Sequence, residues 1–201
     1  MREPPGLAAR PPDQTWVIQS RPTGKIDVRY FGPPSTGERD SLAVARDLVL
    51  ILNEWGEDWD DPRVPLGPER GVDIEAFGPK GHLQLQITRV PRDPRFWGSL
   101  SEGEPAHLEL GPTAAAAEIM AAIREKANRT APADRPALTL VLDAQKCLLF
   151  ELPPVHLAFH DHHLAEAAAT GFDDILLVGG TGTVLPLLSP ERPSEVWMRF
   201  R

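Results

Sequence analysis

Residues 71–90, GVDIEAFGPKGHLQLQITRV, constrain the fold more than any other stretch, because two alternating apolar and polar runs meet there across a Gly/Pro break. Alternation with a period of two marks a strand with one covered face, and two such runs joined by a tight break read as a β-hairpin. In the first arm Val72, Ile74 and Ala76 alternate with Asp73 and Glu75; in the second Leu83, Leu85 and Ile87 alternate with Gln84, Gln86 and Thr88. One face is apolar and packs. The other gathers two carboxylates, two amides and a hydroxyl, since directly opposed residues on paired strands place their Cβ atoms ~5 Å apart. That polar face is the candidate functional surface.

An isolated hairpin is marginal in water, so the flanking segments must cover its apolar face. TWVIQ (15–19) and KIDVRYF (25–31) are β-branched and aromatic around the turn SRPTG and read as two strands. A helix is expected over 38–55, because Leu42, Ala45, Leu48, Val49, Leu52 and Trp55 recur at spacings of three and four, with Gly56 as its stop. Residues 56–70, acidic and interrupted by three prolines, read as a loop. After the hairpin, residues 91–107 read as irregular and HLEL (107–110) as a short strand. The clearest helix is TAAAAEIMAAIREKANR (113–129), with Glu118 early and Arg124, Lys126 and Arg129 late, in the sense that suits the helix dipole. ALTLVLDA (137–144) and DILLVGG (174–180) have the length and composition of buried strands, and a helix over 155–170, ended by Gly171, lies between them. Strand, helix, strand implies a parallel crossover. The expected fold class is α/β, a mixed β-sheet flanked by helices, in a single domain over 15–201 behind a mobile tail at 1–14 that holds four prolines.

Charge and composition narrow the function classes. A net charge of -8 argues against a surface that is basic throughout, while leaving a local basic patch open. Positive charge is mostly arginine, the lysines being Lys25, Lys80, Lys126 and Lys146, and with 22 prolines this fits a GC-rich genome. One cysteine, Cys147, allows no intramolecular disulfide and no CxxC metal or redox pair. The N-terminal residues lack an apolar signal core and no stretch reaches the ~18 apolar residues of a membrane span, so a cytoplasmic protein without a membrane partner is expected.

The order of helix, hairpin, helix and strand over residues 38–180, with Asp73 opening one arm and polar residues two apart in the next, resembles the PD-(D/E)xK nuclease superfamily, also called restriction-endonuclease-like. In that superfamily an Asp and a second acid bind a divalent metal, and a Lys two residues beyond the acid helps activate water. Here Asp73 matches the Asp, and Gln86, Ile87 and Thr88, or alternatively Gln84, Leu85 and Gln86, fall at the second motif. Thr88 then stands where the family has Lys, and Glu38 matches the place of a helix acid. The strand that the family sets between the helix and the Asp arm has no visible counterpart in residues 56–70. The resemblance implies a restriction-endonuclease-like core with an added N-terminal β-hairpin. It implies Asp73, Gln86, Thr88 and Glu38 as the catalytic set, and Asp73 with Glu75 as ligands of Mg²⁺ or Mn²⁺. Arg89 or Lys80 would replace the missing Lys, and Arg89, Lys80, Arg92, Arg95 and Trp97 would contact nucleic acid. The implied function is a metal-dependent DNA nuclease or nuclease subunit, in defence against foreign DNA such as phage. The alternative is a non-catalytic nuclease-like module that binds DNA or a partner protein, with a homo-oligomer left open.

Three further groups of residues carry possible chemistry. His156, His160 and His163 share one helical face and could chelate a transition metal with Asp161 or Glu166, but alanines dominate the rest of the helix and a polar surface is the plainer reading. VGGTGTVL (178–185) looks like a phosphate loop, yet Pro186, Pro190 and Pro193 leave no room for a following helix, so a turn at a strand end is expected and a dinucleotide is not. Trp55, Trp59, Phe96, Trp97 and Trp197 could stack on bases or anchor a partner, with Phe96 and Trp97 placed in a loop too polar to be core.

Overall fold

The computed structural model describes residues 15–20, 23–31, 37–65 and 71–188. The expected tail at 1–14 and Trp197 lie outside them. Five strands form a mixed sheet in the order β3 (Ile74–Gly78), β4 (Gly81–Arg89), β6 (Thr139–Ala144), β7 (Asp174–Gly179) and β8 (Val184–Pro186). The three central strands run parallel, and β3 and β8 close the two sides antiparallel. Strands β1 (Thr15–Ser20) and β2 (Ile26–Phe31) pair antiparallel, and β5 (Ala106–Leu110) joins β2 to complete a separate three-stranded sheet.

Helices cover both faces of the larger sheet. On one side α1 (Gly37–Glu54) packs Val44, Ala45, Leu48 and Ile51 on Ile74, Leu85, Ile87, Val141, Leu176 and Val178. These strand residues are all of one parity within their strands, as the pleat demands. The opposite parity, Leu140, Leu142, Ile175 and Leu177, packs with α3 (Pro112–Arg129) and α4 (Pro153–Ala168). Alanines 115, 116, 122 and 127 of α3 are buried, which lets the two helices approach each other closely. Among the described residues no helix is long and apolar enough to cross a membrane.

Two segments differ from the sequence expectation. Residues 94–101, read as irregular, form helix α2 (Pro94–Ser101): Asp93 caps it by accepting from the Arg95 N–H at 2.8 Å, Pro94 occupies its first turn, and Phe96 and Leu100 enter the core. A helix of eight residues carries two turns, too few for its period to stand out. Within residues 56–70 a short antiparallel pairing joins Arg63 to Glu75, with backbone bonds in both directions at 2.9 Å, and the Asp60 N–H donates to Phe77 O. Asn53 holds this segment through its side chain, which accepts from the N–H groups of Asp58 and Trp59. Gly78 sits under Trp59, where a Cβ would lie 2.9 Å from the indole.

Candidate functional site

The polar face of the β3–β4 hairpin lies on the α3 side of the sheet, and the C-terminal turn of α3 covers it. Gln86 and Thr88 are consequently buried, at 6% and 5% exposure, rather than solvated. Gln86 spends both ends of its amide: Nε2 donates to Gly71 O at 3.0 Å, and Oε1 accepts from the Thr130 hydroxyl at 3.0 Å. The Thr88 hydroxyl accepts from Arg92 at 3.1 Å, and the same guanidinium reaches Glu125, which also pairs with Arg129 at 2.6 Å. Asp73 departs from the pleat. Val72 packs with the α3 side while Ile74 packs with α1, and Asp73 Oδ2 accepts from the Ile87 N–H at 2.7 Å as a strand carbonyl would. The Lys126 ammonium stands 3.7 Å from the same oxygen.

The other expected site residues fall elsewhere. Glu75 belongs to a different cluster, with Arg63 Nε and His82 Nε2 each 3.0 Å from its two oxygens. Phe77 stacks on His82 with centroids 4.3 Å apart, and the Arg63 guanidinium lies 4.5 Å from its ring centre on the same strand edge. Lys80 is at the hairpin tip, bonded to Glu57 at 2.6 Å and remote from Asp73 along the strands. Arg89 lies 3.9 Å from Asp143 and 5.1 Å from the Trp97 ring centre. Trp97 is half-buried, its indole N–H donating to Pro91 O at 2.7 Å, and Phe96 is core; the expected loop pair is thus a helix anchor. Arg95 is exposed. Glu38 falls in the first turn of α1, the helix that lies across the sheet from Gln86 and Thr88. Lys126, Thr130 and Glu125, which complete the hairpin network, were not singled out as site residues in the sequence. Their late position in α3 was the one available signal.

A Mg²⁺ ion wants at least one or two free carboxylates in a nearly octahedral oxygen shell. Asp73 offers one carboxylate with a cation beside it, and Glu75 has both oxygens engaged by cationic or imidazole nitrogens. Among the described residues no three His, Cys, Asp or Glu side chains converge. Asp73 is thus the less engaged of the two hairpin carboxylates.

A second polar cluster surrounds the β7–β8 turn. Glycines 179 and 180 allow two close approaches: a Cβ at Gly179 would lie 1.7 Å from Glu151 Oε2, and one at Gly180 would lie 2.2 Å from Gln145 O. The Gly179 N–H donates to Thr183 O at 2.8 Å, so this glycine-rich stretch is the expected turn, here linking an antiparallel pair. Glu151, at the end of a 3-10 turn (Leu148–Glu151), is 1% exposed and accepts from the Thr181 hydroxyl at 2.7 Å. Burial pushes its carboxyl up to about 7, against the lowering effect of the Thr181 and Gly180 donors. His156 is also 1% exposed, which corrects the expectation of a wholly polar histidine surface. Burial lowers its pKa to about 4, helped by the charge of His160, whose own value burial also lowers. Among the described residues, the buried side-chain polar atoms without a hydrogen-bond partner are Glu151 Oε1, both ring nitrogens of His156 and Nε2 of His160.

Comparison with protein-family models, with curated proteins and with solved structures finds no match.

Proposed function

We propose that this chain is a non-catalytic module on a nuclease-like scaffold, which binds DNA or a protein partner. The observation that carries the reading is the saturation of the hairpin face: Gln86, Thr88 and Glu75 are buried with their polar groups already paired, and Asp73 is held by Ile87 N–H and Lys126. A catalytic face needs polar groups available to substrate and metal. The nuclease-like scaffold is supported by the order helix, edge pairing at Arg63, hairpin, helix and strand on a mixed sheet. That edge pairing would correspond to the strand that such a scaffold has between the helix and the Asp arm. For contact with DNA, Arg95 and Arg129 stand exposed near the end of the hairpin, with Arg92 and Lys126 beside them.

One observation favours a second reading, a metal-dependent nuclease or nuclease subunit using Mg²⁺ or Mn²⁺. Lys126 brings an ammonium 3.7 Å from Asp73, supplying from α3 the Lys that the hairpin lacks. A single experiment separates the two. Purified protein is incubated with plasmid and linear DNA, with Mg²⁺ or Mn²⁺ against chelator, and the same DNA is used for binding at several salt concentrations. The first reading expects intact DNA under every metal condition. Binding, where DNA is the partner, should weaken steeply with salt. Metal-dependent cleavage that disappears in both Asp73→Asn and Lys126→Ala would establish the second reading and remove the first; no cleavage and no DNA binding would leave a protein partner.

A further inference from the structure

The orphaned imidazoles of α4 are not used by the hairpin. His156 and His160 are one helical turn apart and therefore share a face, with ring centroids 4.7 Å apart and planes inclined by 38°. Val155 and Phe159, their neighbours in the chain, are fully buried in the core. The Pro186 carbonyl of β8 approaches the His156 ring and favours its protonated form, although outside hydrogen-bond geometry. An imidazole always carries at least one N–H, and burying it without an acceptor costs about 1–3 kcal/mol. Native folds seldom keep such groups bare unless an ion, a ligand or a water completes them.

We infer that His156 and His160 together chelate one divalent transition cation of the zinc, nickel or copper class. Imidazole nitrogen suits these ions and not the hard Mg²⁺ or Ca²⁺. The spacing fits. With a nitrogen-to-metal distance of about 2.1 Å, and a ring centre about 1.1 Å behind the nitrogen, each centroid sits roughly 3.2 Å from a shared ion. A 4.7 Å separation then corresponds to an angle of about 95° at the metal, which tetrahedral and square coordination both approach. Metal-bound histidines usually donate their second N–H to a carbonyl or carboxylate, and the Pro186 carbonyl stands beside the His156 ring for that role. Burial disfavours the charged form of both rings, and the neutral imidazole is the form that ligates. Among the described residues no third side chain completes a closed cluster, so the remaining positions are open to an exogenous ligand. His163, a turn further on, lies 4.0 Å from Glu166 and takes no part.

The test uses the full chain and metal ions alone. Zn²⁺ and Ni²⁺ are titrated against a chromophoric chelator into wild type, His156→Gln, His160→Gln, the double variant and His162→Gln, the last altering an exposed histidine of the same helix. Wild type and His162→Gln should take up one ion, and each of the other variants should bind it at least about tenfold more weakly. Zn²⁺ should raise the unfolding midpoint of wild type and not of the double variant, and bound Cu²⁺ should show coupling to two nitrogens. His160 is half-buried, so His160→Gln keeps the assay readable if His156→Gln folds poorly. Uptake by His160→Gln equal to that of wild type, or no uptake by wild type, would overturn the inference.

Discussion

Two groups of buried polar side chains lie on the same side of the large sheet, one under the end of α3 and one on α4 and the 3-10 turn that precedes it. In the first, each side-chain polar atom of Gln86, Thr88 and Thr130 has a hydrogen-bond partner. In the second, Glu151, His156 and His160 leave four atoms unpaired. The contrast separates two uses of a buried polar group. A paired one stabilises modestly and fixes how elements dock, whereas an unpaired one costs free energy in the empty protein and is available to a ligand. By that criterion the α4 cluster, not the hairpin that dominates the sequence, has unused chemical capacity.

Four measurements would break or sharpen the comparison. The largest effect is expected at the turn that frames the second cluster: Gly180→Ala drives a Cβ to 2.2 Å from the Gln145 carbonyl, which no side-chain rotation relieves, and should cost about 3 kcal/mol in denaturant unfolding. An unchanged midpoint would mean that the turn is not packed as described.

Next is the pH dependence of stability. The Glu151 carboxyl is raised from 4.5 to about 7, so between those values the folded chain holds a proton that the unfolded chain has lost, and its contribution falls as pH rises through that window, by up to about 3 kcal/mol. His156 acts in the opposite sense. Its pKa is lowered from 6.5 to about 4, so the unfolded chain binds the extra proton and stability falls as pH drops through that window. Glu151→Gln should remove the loss on the alkaline side and His156→Gln the loss on the acidic side; equal slopes in wild type and variants would refute both assignments.

Third, the same type of change should have opposite results in the two clusters. Gln86→Leu takes the partner from Gly71 O and leaves the Thr130 hydroxyl only Lys126 O, and should destabilise by about 1 kcal/mol. Metal-free His156→Leu removes atoms that have no partner and should be neutral or stabilising. Comparable losses at both sites would erase the distinction. Smallest is Asp73→Asn, whose carboxylate is exposed and whose amide oxygen can still accept from Ile87 N–H; a change in stability of about 0.5 kcal/mol is expected, with partner binding intact.

Much of the secondary structure was legible in the chain itself. The α1 and α3 helices, the β3–β4 hairpin, the parallel β6–α4–β7 crossover and the glycine-rich turn all follow from periods and breaks that involve residues a few positions apart. Helix α2 is not legible there, because two turns give the period little length in which to appear. Nor is the Arg63 edge pairing, because a single bridge has no period at all.

What covers each polar face was decided only by the tertiary structure. Alternation shows that Gln86 and Thr88 share a side, but Thr130 lies 44 residues from Gln86, and Glu125 lies 33 from Arg92. Nothing local marks α3 as the lid. The same holds for α4, where three histidines on one stripe look identical in sequence, and the packing of Val155 and Phe159 with the approach of β8 buries His156 while leaving its neighbours wetter. The physical reason is one of range: periodicity records the geometry within one element, whereas burial and hydrogen-bond partners depend on how distant elements dock, through contacts that no single segment encodes.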